Sequence, residues 1–137
     1  MRLSAPRIEP VDLGRLDADQ RAALEPFLAS DANVVGGKVG GGKILNIFRT
    51  LAHAPKALTA FLGWGNYILS KRNALSPRNR ELVILRTGYN CRSGYEWTQH
   101  KRIGLDCGLT EDEIARIKAG PDAADWDDLD RAMLRAC

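Results

Sequence analysis

Residues 81–100 read ELVILRTGYNCRSGYEWTQH, from Glu81 to His100. The apolar run Leu82–Leu85 belongs to one predicted helix, Pro77 to about Tyr89. GYNCRSG breaks it, and a second helix follows from Ser93 to Cys107. A connection this short folds the second helix back antiparallel on the first. Ser93, Glu96 and His100 stand at relative positions 0, 3 and 7, so a helix places them on one face. Glu81 sits on the other helix. An acid and an imidazole facing a second acid across a helix pair form a usable proton-transfer site.

Outward from this pair the signals are helical, and no alternating segment argues for a strand. Ser76-Pro77 opens the first helix, with Ser as N-cap and Pro at the first helical position. Gly108 ends the second. Thr110 to Glu113 is a T-x-x-E capping box, and its helix closes at Gly120. A last helix is expected from near Asp125 to Cys137. It stops with no cap or polar tail, as a longer protein cut in mid-helix would. Upstream, Asp17 to Ala29 is helix-like, with Pro26 expected to bend it or end it early. Ser30 to Lys43 is a glycine-rich break. Ile44 to Ala52 reads as a short apolar helix. Pro55 starts another that runs to about Lys71, apolar on most faces and therefore expected to be buried.

The chain has 137 residues, 45% hydrophobic and 27% charged. That fits one soluble globular domain with a real core. We read it as a single domain over 1–137 with an N-terminal extension over 1–43. The net charge of +3 comes from mixed signs without a dense basic tract, which argues against nucleic acid. No apolar run spans a bilayer and no signal peptide is visible, so no membrane partner and a cytoplasmic location are expected. Cys91, Cys107 and Cys137 are an odd number at spacings that suit neither a disulfide framework nor, with two histidines, a structural zinc site.

Glu96 and His100 are i, i+4 partners. A carboxylate there orients the imidazole and favours its protonated form. Glu81 has apolar neighbours, and dry surroundings suit it to hold or deliver a proton. The competing reading is a solvated Glu–His pair worth roughly a few tenths of a kcal/mol. Arg49 and Arg86 could each bind a substrate carboxylate. Arg86 is five residues after Glu81 and points to a different face. VGGKVGGGK (Val35 to Lys43) lacks the G-x-x-x-x-G-K-[ST] pattern of a phosphate loop, so a linker or a flap fits better. His53, before Ala54-Pro55, reads as a structural or capping histidine. Trp64, Tyr67 and Trp97 read as core or subunit-contact aromatics.

Four pieces, NIFRTLAHAP (Asn46 to Pro55), SPRNRELVILRTGYNC (Ser76 to Cys91), YEWTQH (Tyr95 to His100) and GLTEDEIARIKAG (Gly108 to Gly120), resemble the carboxymuconolactone decarboxylase family. That family includes the alkyl hydroperoxidase D-like proteins. Its peroxidase branch carries Glu, eleven residues, Cys, two residues, Cys, three residues, His. Here Ser93 and Glu96 stand where the two cysteines would, between Glu81 and His100. A CxxC redox pair needs two thiols within reach, so the resemblance points to the branch without them. It implies an all-α bundle of six to seven helices around the antiparallel pair. It also implies a homo-oligomer, trimer or hexamer, acting on a small molecule without cofactor or metal. The implied reaction is decarboxylation or a related lyase step on a small cyclic carboxylate such as a lactone. His100 would donate the proton, Glu81 and Glu96 would tune or relay it, and Ser93, Arg86 and Arg49 would bind substrate. Two alternatives stay open: a peroxidase using a thiol at Cys91, and a non-catalytic oligomeric binding protein.

Overall fold

A computed structural model describes residues 5–29, 38–39, 43–70 and 72–137. Among these the protein is all-α, with seven α-helices and one two-stranded antiparallel ladder of two residues per strand. The chain divides into two compact units, Met1–Asn73 and Ala74–Cys137. Most of the glycine-rich break lies outside the described residues, and so does Lys71.

In the first unit, helix α1 spans Ala18–Leu28. Asp17 caps it by accepting from the Gln20 N–H, and the Gln20 side-chain oxygen accepts from the Asp17 N–H, a reciprocal box that local chemistry alone sets. Pro26 neither stops the helix nor shortens it. It falls in the last turn, where it forfeits a single backbone hydrogen bond and the chain is about to leave the helix. The ladder pairs β1 (Lys38–Val39) with β2 (Lys43–Ile44), a short pairing with no alternating pattern behind it. Helix α2 covers Asn46–Leu51 and α3 covers Pro55–Leu69. Their core is Leu24, Phe27, Phe48, Ala52 and Leu58, with the Phe27 and Phe48 rings stacked at 4.4 Å.

Burial of α3 on most faces does not occur. Leu58 is its one buried side chain among the described residues, and Phe61, Trp64 and Tyr67 are exposed, Trp64 to 64%. The physical reason is the thinness of the unit. A core built from three helices covers one stripe of each, and the rest of α3 stays apolar without cover.

The second unit holds α4 (Pro77–Asn90), α5 (Gly94–Asp106), α6 (Glu111–Ala119) and α7 (Asp128–Arg135). The Asn79 N–H donates to Ser76 Oγ at the start of α4. The α4–α5 turn is a Schellman motif: the Ser93 N–H reaches the Gly88 carbonyl at 2.8 Å and the Arg92 N–H reaches that of Tyr89 at 3.0 Å. It puts Arg92 in the left-handed region at φ 54°, an uncommon place for a residue with a side chain. Gly108, at φ 100°, closes α5 by the same motif. The pair is antiparallel, since Gly88 faces Glu96 while Glu81 and Leu85 face Gly104. A Cβ on Gly104 would lie 3.0 Å from Leu109 Cδ1 and 3.3 Å from Leu85 Cδ1, so glycine is what lets the helices come this close.

Helix α7 begins at Asp128, later than Asp125, because Asp127 supplies the N-cap and accepts from the Asp130 N–H at 2.7 Å. Trp126 stays outside the helix, buried, and donates its indole N–H to the Gly120 carbonyl at 3.1 Å. Arg78 ties three helices together. Its guanidinium donates to both Asp130 oxygens at 2.9 and 2.7 Å and also to Glu113. The Asp130 hydrogen bonds outweigh the cost of burial and raise Arg78 above its ordinary value. Burial alone would push the Glu113 carboxyl up. The Thr110 backbone N–H and Arg78 together hold it below the usual carboxylate range.

Candidate functional site

Glu81 projects from the face of α4 that packs on α5. The absent side chain at Gly104 leaves room for it, with the Glu81 Cβ 3.7 Å from where a Gly104 Cβ would be. The carboxylate is 1% exposed. His100 comes from α5, one helical turn before Gly104, and is 16% exposed. Its Nδ1 lies 2.7 Å from Glu81 Oε2. Its Nε2 lies 3.4 Å from Glu96 Oε2, and Glu96 is 38% exposed. Both ring nitrogens therefore face carboxylates, one dry and one in contact with solvent. A proton can pass from water through Glu96 to the ring, while Glu81 holds the far side of the imidazole.

Ser93 is the N-cap of α5, and its Oγ accepts from the Glu96 N–H at 3.5 Å. It orients the first turn from which Glu96 projects. Arg86 turns to α6. It donates to the carbonyls of Ile117 at 2.9 Å and Lys118 at 3.3 Å and lies over the Tyr89 ring. Positive charge on the last carbonyls of a helix is favourable, and a Cβ on Gly120 would strike Arg86 Nη2 at 2.9 Å. Arg49, in the first unit, donates from Nε and Nη2 to the Val11 carbonyl at 3.1 and 2.9 Å, and the Val11 N–H returns a bond to the Arg49 carbonyl. Both guanidinium groups are thus engaged with backbone. His53 has its Nε2 2.8 Å from the Glu9 carbonyl, also in the first unit. Trp97 packs edge-on against Tyr89, with the Lys118 ammonium over its ring.

The cysteines are free thiols. Cys91 is exposed at the C-cap of α4. Cys137 is exposed, with Sγ 3.2 Å from the Met133 carbonyl. Cys107, at the C-cap of α5, is half-buried. Burial first, then the Glu81 charge, push its thiol above the ordinary value, while Arg80 opposes them. No three His, Cys, Asp or Glu side chains among the described residues are grouped to hold a metal ion.

Two further residues, Arg80 and Gly104, belong to the site. Arg80, buried beside Glu81 with Nε 3.9 Å from Oε1, follows from packing alone. Gly104 left a trace, a lone glycine inside a helical pattern, which often marks a close approach. No helix among the described residues is long and apolar enough to cross a membrane. A family model described as carboxymuconolactone decarboxylase family matches residues 55–136. No curated protein and no solved structure matches the chain.

Proposed function

This chain belongs to the carboxymuconolactone decarboxylase family, and from that premise we propose that it is a cofactor-free decarboxylase or related lyase acting on a small cyclic carboxylate such as a lactone. The observation that carries this reading is His100 held between buried Glu81 and half-exposed Glu96, in a frame where Ser93 and Glu96 replace the two thiols of the peroxidase branch. In decarboxylation the bond from ring to carboxylate breaks and carbon dioxide leaves. The electron pair stays behind as an enolate-like charge, which must be stabilised and protonated on carbon. His100 delivers that proton from Nε2. Glu96 restores it from solvent, and Glu81 fixes the ring. Ser93 sets the turn that carries Glu96. A homo-oligomer, trimer or hexamer, goes with this reading, and the exposed aromatic row of α3 supplies apolar surface for it.

The test is carbon dioxide release from 4-carboxymuconolactone by the wild-type protein and by His100→Asn. Release above a protein-free control that is lost in the variant supports the reading. A peroxidase is the competing reading, favoured by the exposure of Cys91. Peroxide consumption with a dithiol reductant that vanishes in Cys91→Ser, with no carbon dioxide released, would establish it instead. Ligand binding unchanged in His100→Asn, with neither activity present, marks a binding protein.

A further inference from the structure

Phe61, Trp64 and Tyr67 recur every third residue on α3, so they share a face, and they are 40%, 64% and 46% exposed. The three rings leave roughly 300 Å² of aromatic surface facing water. That is the scale of an interface core. A stable contact buries about 800 Å² per partner, so a polar rim must supply the rest. The charges that flank the row have one sign. α3 carries no charged residue beyond Lys56, Arg72 follows its end, and both are exposed. Residues 32–73 include six Lys or Arg and no Asp or Glu. Two such rows are poorly matched to each other. Lys56 and Arg72 stand eight residues either side of Trp64. In either direction, a contact of α3 with its own copy about Trp64 sets cation against cation.

The opposite sign stands in the second unit. Residues 121–130 include five aspartates and no Lys or Arg. The helix dipole accounts for Asp127 and Asp128 at the start of α7. It does not account for Leu129, 59% exposed among them, or for Asp125, exposed at φ 64°. Arg116 and Arg131 beside them are engaged by the Asp125, Pro121 and Trp126 carbonyls. Among the described residues neither Asp125 nor Asp128 forms an ion pair, and neither does Lys56 or Arg72. We propose that the α3 row docks on the 125–129 surface of a second copy of this chain, with Lys56 and Arg72 meeting the aspartates around an apolar centre that includes Leu129. The contact is head-to-tail. Each copy offers α3 to one neighbour and the start of α7 to another, and such a contact closes into a ring where its rotation allows. The inference rests on the homo-oligomer of the preceding reading and not on its reaction.

Sedimentation velocity on the full chain reads the contact, with thermal melting to check that each variant folds. The wild type is expected to be a discrete oligomer, and Trp64→Ala to weaken it about tenfold or more. Lys56→Glu with Arg72→Glu is expected to break it, as is Asp125→Asn with Asp128→Lys. The two sets combined in one chain are expected to restore it. A monomeric wild type overturns the proposal, whether or not the variants fold. So does full assembly in Trp64→Ala, or a combined variant that folds and stays monomeric. Assembly strengthened by Lys56→Glu alone marks α3 packed antiparallel on α3 and overturns it too. A monomer that binds anionic phospholipid vesicles, and loses them in Trp64→Ala, overturns it in favour of a membrane surface. The expected assembly in a protein that releases no carbon dioxide sinks the reaction and leaves the interface standing.

Discussion

Arg78→Met removes the cation at the centre of the second unit. Arg78 bonds both oxygens of Asp130 and also Glu113, and the side chains of Asp130 and Glu113 are 6% and 18% exposed. The variant leaves these carboxylates facing each other with little water to separate them. Breaking a buried pair from one side costs about 3–5 kcal/mol. Arg78 itself is 28% exposed, and water can enter where it stood, so the cost falls to the bottom of that range or just below it, about 2–3 kcal/mol. Urea unfolding at neutral pH should move the midpoint by that loss divided by an unchanged slope. The loss should shrink at about pH 3, where ordinary carboxyl groups are mostly protonated. Replacing all three partners with apolar residues should recover most of it. A loss below about 0.5 kcal/mol at neutral pH, or an equal loss at acid pH, would refute the view of Arg78 as an electrostatic clasp.

Glu113→Gln tests the same cluster by linkage. A folded carboxyl held below its ordinary value contributes stability that is full above the unfolded carboxylate range and is lost as pH falls through the lower folded value. The variant should show a shallower loss of melting temperature over that acid window than the wild type. Gly104→Val places a branched side chain where Leu109 and Leu85 already sit 3.0 and 3.3 Å from a bare Cβ. It should cost about 1–3 kcal/mol and broaden the His100 signals, since Glu81 must move with α4. His100→Asn takes a 2.7 Å partner from the 1%-exposed Glu81 carboxylate and should cost about 1–3 kcal/mol while lowering carbon dioxide release by about 10²–10⁴-fold. Alkylation by iodoacetamide followed by mass spectrometry should modify exposed Cys91 before Cys107, whose thiol is half-buried and held protonated.

Much of the helical layout was legible because it is local. Ser76-Pro77, the Thr110–Glu113 box, Gly108 and Gly120 each act within one turn of their own helix, so spacing alone reports them. The i, i+4 pairing of Glu96 with His100 follows from the helical period in the same way, while Ser93 lies just outside the helix as its N-cap. Pro26 and Asp125 were less legible, since a proline in a last turn reads like one that ends a helix early, and an aspartate just before a better cap reads like the cap itself.

The helix pair, its caps and the Glu96–His100 spacing on α5 are written in the sequence. Tertiary structure decided which nitrogen of His100 meets which carboxylate, and that Arg80 lies buried at Glu81's other oxygen. It also sent Arg86 to the α6 carbonyls and Arg49 to Val11, 38 residues away. It left α3 largely uncovered. The physical reason is range. Backbone caps and helical faces are fixed by contacts a few residues apart, whereas a long charged side chain takes whichever partner the packed helices bring to it.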